Sequence, residues 1–124
     1  MFGNTKAFSG FAVKDLTEAR EFYEGKLGIQ VSEEGEHLLT LHLGGDRPTL
    51  IYAKDDLVPA NYTVLNFPVG DIDAAVDDLV AQGVELERYD GMPQDERGIM
   101  REGGPFIAWF TDPSGNILSV LQER

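Results

Sequence analysis

"FAVKDLTEAREFYEGKLGIQV", residues 11–31, returns later in the chain as "FPVGDIDAAVDDLVAQGVELE", residues 67–87. Phe11 aligns with Phe67, Val13 with Val69, Asp15 with Asp71, Leu16 with Ile72 and Ala19 with Ala75 at one constant offset. One residue drops out before Gly28 meets Gly83. Such a repeat makes each copy one supersecondary unit. Both copies open with strand alternation: Ser9, Phe11 and Val13 against Gly10 and Ala12, then Leu65, Phe67 and Val69 against Asn66 and Pro68.

A helix follows in each copy. Asp15 and Asp71 stand where a carboxylate can accept from the free N–H groups of a first turn, and Glu18 gives the first helix something like a capping box. In the second copy Ile72, Ala75, Val76, Leu79 and Val80 recur at the spacing of one helical stripe. Gly28 and Gly83 suit the left-handed residue that ends a helix.

Three more strands are predicted after each helix: Ile29–Ser32, Leu38–Leu43 and Thr49–Ala53, then Val84–Tyr89, Phe106–Thr111 and Ile117–Leu121. Turn chemistry joins them, "GGDRP" in the first copy and "DPSG" in the second, where Pro113 favours a type I turn. The expected fold is therefore α+β, two tandem βαβββ modules over residues 6–57 and 61–122 of a single domain spanning 1–124. The connector "DDLVPAN" is too short to separate independent domains.

Composition narrows the function. With 22 acidic against 10 basic side chains the formal charge is −12, a field that repels phosphate backbones and anionic lipid. Nucleic acid and membrane surfaces are not expected partners. The chain has no cysteine, which excludes thiol chemistry and Cys-based zinc sites and suits a reducing cytoplasm. "MFGNTKAFSG" does not read as a leader, and no apolar run approaches the roughly 20 residues of a membrane helix.

The doubled βαβββ plan, with "VKDLTEAREFYEGKLG" and the "DPSGN" turn in that order, resembles the vicinal oxygen chelate superfamily of glyoxalase I, extradiol dioxygenases, fosfomycin resistance enzymes and bleomycin resistance proteins. That resemblance implies curved mixed sheets around a cup. It also implies metal-ligand places on first and last strands, which carry over to Phe8, Tyr52, Val64 and Ser119. Phe and Val have no donor atoms, and neutral Ser and Tyr hydroxyls are poor ligands beside His, Glu and Asp. No metal and no other cofactor is therefore expected.

Period-two alternation then sorts the strands into two faces. Leu39, Leu41 and Leu43 should pack under a helix, leaving Thr40 and His42 on the cup side; Phe106, Ala108 and Phe110 should pack inward, leaving Ile107 and Trp109. With the first and last strands the lining becomes Phe8, Ala12, Leu50, Tyr52, Val64, Asn66, Ser119 and Leu121. An aromatic and aliphatic wall with a few polar groups is the usual composition of a small-molecule pocket. Trp109, Tyr52 and Phe8 are placed to stack on a planar ligand; His42, Asn66 and Ser119 are placed to orient it.

His42 is the one candidate general acid or base on this face. His37, in "EEGEHL", and Asp73, Asp77 and Asp78, off the helical stripe, read as solvated surface. Residues 89–104, "YDGMPQDERGIMREGG", read as a polar loop whose Arg97 and Arg101 balance Asp95, Glu96 and Glu102 or close over an anionic group. The expected function is metal-free small-molecule binding by a homodimer, with a toxic or antibiotic-like compound as the candidate for sequestration. The alternative is a lyase, isomerase or dioxygenase, metal-dependent or using His42.

Overall fold

Asp15 caps the first helix in the computed structural model, which describes residues 1–124: its Oδ1 accepts the Glu18 N–H at 3.1 Å. The chain then divides into two compact units, Met1–Val58 and Pro59–Arg124. In the first, β1 (Ser9–Val13) leads to α1 (Leu16–Arg20), which widens into a π-helical turn over Glu21–Lys26. The Leu27 N–H reaches back to the Phe22 carbonyl at 3.0 Å, and the consecutive aromatics Phe22 and Tyr23 are both buried. Gly28 follows at φ 72°, in the left-handed region predicted for it.

Strands β2 (Gln30–Glu33), β3 (Leu38–Leu43) and β4 (Arg47–Ala53) complete a sheet ordered β1-β4-β3-β2, with β1 and β4 parallel and the other pairs antiparallel. Residue 10 must be small. A Cβ there would lie 2.9 Å from the Leu50 carbonyl oxygen, so glycine sets how closely β1 approaches β4.

The second unit repeats the start. β5 (Thr63–Pro68) leads to Asp71, whose carboxylate accepts the Ala74 N–H at 3.2 Å and caps α2 (Ile72–Ala81). The Ile72 N–H is taken by Gln122 Oε1 at 2.8 Å, so the last strand helps to cap the helix. Ile72, Val76 and Leu79 are buried as the stripe predicts, but Val80 is 58% exposed. It lies at the stripe's flank, on the wall of an open groove with Val84 and Leu86.

The predicted strand Val84–Tyr89 does not form. The sheet holds three strands, β5-β7-β6, with β6 at Phe106–Thr111 and β7 at Ile117–Gln122. Two isolated bridges line the β6 edge instead, Leu86 to Phe110 and Met100 to Ile107. Gln94 explains the interruption: its side chain accepts the Tyr89 N–H at 2.8 Å and donates to the carbonyls of Glu87 at 2.9 Å and Gly98 at 2.8 Å. Backbone groups that a ladder would use are satisfied locally, and the chain turns away from β6.

Asp112 closes the turn between β6 and β7. Its Oδ1 accepts the N–H groups of Ser114 and Asn116, each at 2.9 Å, and its Oδ2 accepts the Asn116 amide at 3.0 Å. The Gly115 N–H bonds the Asp112 carbonyl at 3.0 Å, closing a β-turn through Pro113. Because this carboxylate is buried and serves several donors, Asp112→Ala should cost about 2–4 kcal/mol in urea unfolding. A loss below about 0.5 kcal/mol would show that water satisfies the same donors.

Candidate functional site

In the first unit the strand register places the expected face. Thr40 lies opposite Leu50 and Ser32, Leu38 opposite Tyr52, and His42 opposite Pro48 and Gln30. The alternate residues Leu39, Leu41 and Ile51 are all buried, as the period-two reading requires. A groove of about 580 Å³ opens on the expected face and brings together Phe8, Thr40, His42 and Leu50. Glu34, Asp46 and Arg47 give its rim both signs of charge. Phe8 is 66% exposed and Tyr52 is 41% exposed. An accessible aromatic wall beside hydroxyl, imidazole and carboxylate groups can hold a flat organic molecule and orient its polar end.

His42 is exposed, not sealed among apolar neighbours. Its Nε2 lies 2.7 Å from the Ser32 hydroxyl, and that hydroxyl lies 3.4 Å from Glu34 Oε1. Ser32 is the partner that sequence reading missed. The alternation of β2 with β3 was visible, but the register that sets Ser32 diagonal to His42 was not.

In the second unit Asn66, Ser119 and Trp109 form one row, since Ser119 is the register partner of Asn66 on β5 and of Trp109 on β6. The Ser119 hydroxyl donates to Asn66 Oδ1 at 2.6 Å and is fully buried. Ile107 stands opposite Leu121 one step along, and Val64 falls in the register shift between Thr63 and Leu65. Trp109 is 8% exposed, with the Tyr89 ring packed edge-on at 5.5 Å. The Tyr89 hydroxyl is buried with no hydrogen-bond partner; burial raises its pKa and the nearby Glu87 carboxylate adds to the effect. Tyr89 was legible only as the end of a strand, so its packing on Trp109 was not foreseen.

The positions that the resemblance assigns to metal ligands do not fit a divalent cation. Phe8 and Val64 offer carbon only, the Ser119 hydroxyl is spent on Asn66, and a Tyr52 hydroxyl is a poor ligand beside His, Glu and Asp. Nowhere do three or more His, Cys, Asp or Glu side chains group in a way that could hold a metal ion. The donor set gives no basis for a metal-dependent step.

Arg97 and Arg101 are engaged by carboxylates, chiefly on α2. Arg97 pairs with Asp73 at 3.2 Å and with Asp77; Arg101 pairs with Asp73 at 2.8 Å and with Asp95 at 3.1 Å. Asp73 and Asp77 are thus ion-pair partners and not merely solvated surface, because the loop folds back onto the helix. The hydrogen bonds that Arg101 donates to Asp73 and Asp95 raise its pKa. Burial pushes Asp95 up, but the Ile99 N–H, the Arg101 guanidinium and the Arg97 N–H outweigh it and hold the carboxyl below its ordinary value.

A depressed carboxyl pKa stabilises the fold above the unfolded-state value and loses that contribution as pH falls through the folded-state value. Asp95→Asn should therefore lower the melting temperature at neutral pH, and the gap to wild type should close as pH falls below 3.8. Equal melting curves at pH 7 would remove Asp95 from the stabilising network.

Comparison with known proteins agrees with this architecture. No curated protein matches the chain. The fold is similar to that of a glyoxalase family protein from Enterococcus faecalis, at 24% identity and a TM-score of 0.71 over 98% of this chain and 99% of that one. It is similar also to TnmS3, an antibiotic binding protein from Streptomyces sp. CB03234, at 22% identity and a TM-score of 0.69 over 98% of each chain. FosX, a fosfomycin resistance protein from Listeria monocytogenes, aligns at 17% identity and a TM-score of 0.73 over 98% of this chain and 94% of that one. These identities speak to fold alone. The family model, by contrast, matches residues 7–120, nearly the whole chain, and the protein belongs to the Glyoxalase/Bleomycin resistance protein/Dioxygenase superfamily.

Proposed function

We infer that the protein binds a small organic molecule without a metal ion and sequesters it chemically unchanged. The groove of the first unit carries this reading: Phe8 and Leu50 supply an apolar wall, while Thr40 and His42 supply oriented polar groups. Glu34 and Asp46 outnumber Arg47 at the rim, and on a chain of formal charge −12 that balance favours a ligand with a cationic group on an aromatic body. An antibiotic-binding protein of similar fold gives the reading a precedent. Tyr52, exposed on the same sheet, is a further position that we assign to ligand contact there, and Val64, Asn66, Ile107, Trp109 and Ser119 are assigned to a separate row of the second unit. The working form is a cytoplasmic homodimer, which sedimentation velocity of the purified protein would check.

Calorimetric titration with aromatic, cationic compounds tests the reading. Saturable binding is expected, unchanged by prior chelation, and Phe8→Ala should weaken it by about tenfold through loss of one stacking face. Absence of saturable heat across a diverse panel, or affinity that appears only with added metal, would overturn it.

The contact between Ser32 and His42 favours a second reading, a lyase, isomerase or dioxygenase of the same superfamily in which His42 moves a proton. Any such turnover should fall by about 100-fold or more in His42→Ala. Turnover that survives that change excludes His42 as the base.

A further inference from the structure

The segment Tyr89–Gly98 is fastened to the second unit in an unusual way. Most of its hydrogen bonds stay within residues 87–98: Gln94 serves Tyr89, Glu87 and Gly98, and Arg88 donates to the carbonyls of Asp95, at 2.8 Å, and Glu96. A segment bonded mainly to itself can move as one body. Both ends are anchored on β6: before the segment the Glu87 N–H bonds the Trp109 carbonyl at 2.7 Å, and after it Ile99 is fully buried and Met100 exchanges two backbone hydrogen bonds with Ile107, at 2.8 and 3.0 Å. Gly98, at φ 86°, closes the turn at that second end, its N–H on the Asp95 carbonyl at 3.0 Å.

Backbone ties brace its C-terminal end, with the Asp95 N–H on the Ile99 carbonyl and the Ile99 N–H on Asp95 Oδ1, each at 2.9 Å, while the side-chain contacts that reach beyond it to α2 are ionic. Arg97 reaches Asp73 and Asp77 on α2, and Asp95 reaches Arg101 beyond the segment. These side chains keep between 25% and 69% of their exposure, so dissolved ions reach them. A second contact works against closure. Packing Tyr89 onto Trp109 strips water from the phenol hydroxyl and gives it no protein partner. Swinging the segment out rehydrates that hydroxyl and uncovers Trp109, at the end of the row it shares with Ser119 and Asn66.

We propose that residues 89–98 form an ionically latched cover over Trp109, held by Arg97 and Asp95 and released when their ion pairs are screened. The cover stands or falls independently of any ligand. It makes access to the Trp109 row a function of ionic strength.

Trp109 is the sole tryptophan, so its fluorescence reports this one position. Acrylamide quenching and amide hydrogen exchange would be followed in the wild type from roughly 10 mM to about 1 M NaCl. Expected are a rise of about twofold or more in the quenching constant and faster exchange within 89–98, with β6 and β7 unchanged. Arg97→Gln should show the open values already at low salt and respond little to more, whereas Tyr89→Phe, which removes the stranded hydroxyl, should resist salt better than wild type. Quenching and exchange that stay flat in the wild type would overturn the latch, and that measurement needs no variant to fold. Exchange that rises in β6 and β7 together with 89–98 would overturn it too, showing general loosening. A Tyr89→Phe response equal to wild type would remove the hydroxyl from the balance.

Discussion

Two aspartates, one at the head of each helix, set the geometry on which everything else rests. A strand that ends and reverses into a helix leaves the first-turn N–H groups without partners, and Asp15 and Asp71 each bind one of them. The cap fixes where each helix begins and hence which strand residues lie beneath it. Leu39, Leu41 and Ile51 go under in the first unit, and β6 and β7 carry α2 in the second. Every alternate residue is thereby sent to the opposite face. Thr40, His42, Leu50 and Tyr52 have no say in this: their side of the sheet is chosen by their apolar neighbours.

That dependence explains what could be read from the chain before its structure. Caps, the left-handed Gly28 and Gly83, the DPSG turn and the bounds of β3 and β6 are local, each decided within a few residues. Alternation likewise foretold that Phe8, Thr40, His42 and Leu50 share one surface. Pairings across strands were not local. Ser32 meets His42, and Ser119 meets Asn66, only once register is set, and many registers fit the same alternation. The missing strand at Val84–Tyr89 failed for a related reason. Its alternation was sound, but one side chain downstream, Gln94, took the backbone groups it needed.

The two units share an ancestor-like pattern yet spend their surfaces differently. The first keeps four strands and an open groove whose aromatic wall is in water. The second keeps three, and its central polar row is dry: Ser119 has no exposure and Trp109 very little. A hydroxyl buried against an amide oxygen is already satisfied, so Ser119 makes a structural bond where the alternation had suggested a lining position. The acidic residues are divided as well. Some form the rim of the groove, and others, Asp73, Asp77 and Asp95, neutralise arginines that would otherwise offset the chain's negative field.

The irregular edge of β6 has one more consequence. "FIAWFT", residues 106–111, is uncharged, aromatic and free of proline, the composition from which stacked intermolecular strands are made. It also stands at the end of its sheet, where a regular fourth strand would simply have moved the exposed ladder one place outward. Two single bridges, at Leu86 and Met100, occupy its outer hydrogen-bonding groups without presenting a new continuous edge. The broken strand therefore leaves no continuous ladder beside this segment onto which a strand from another chain could add.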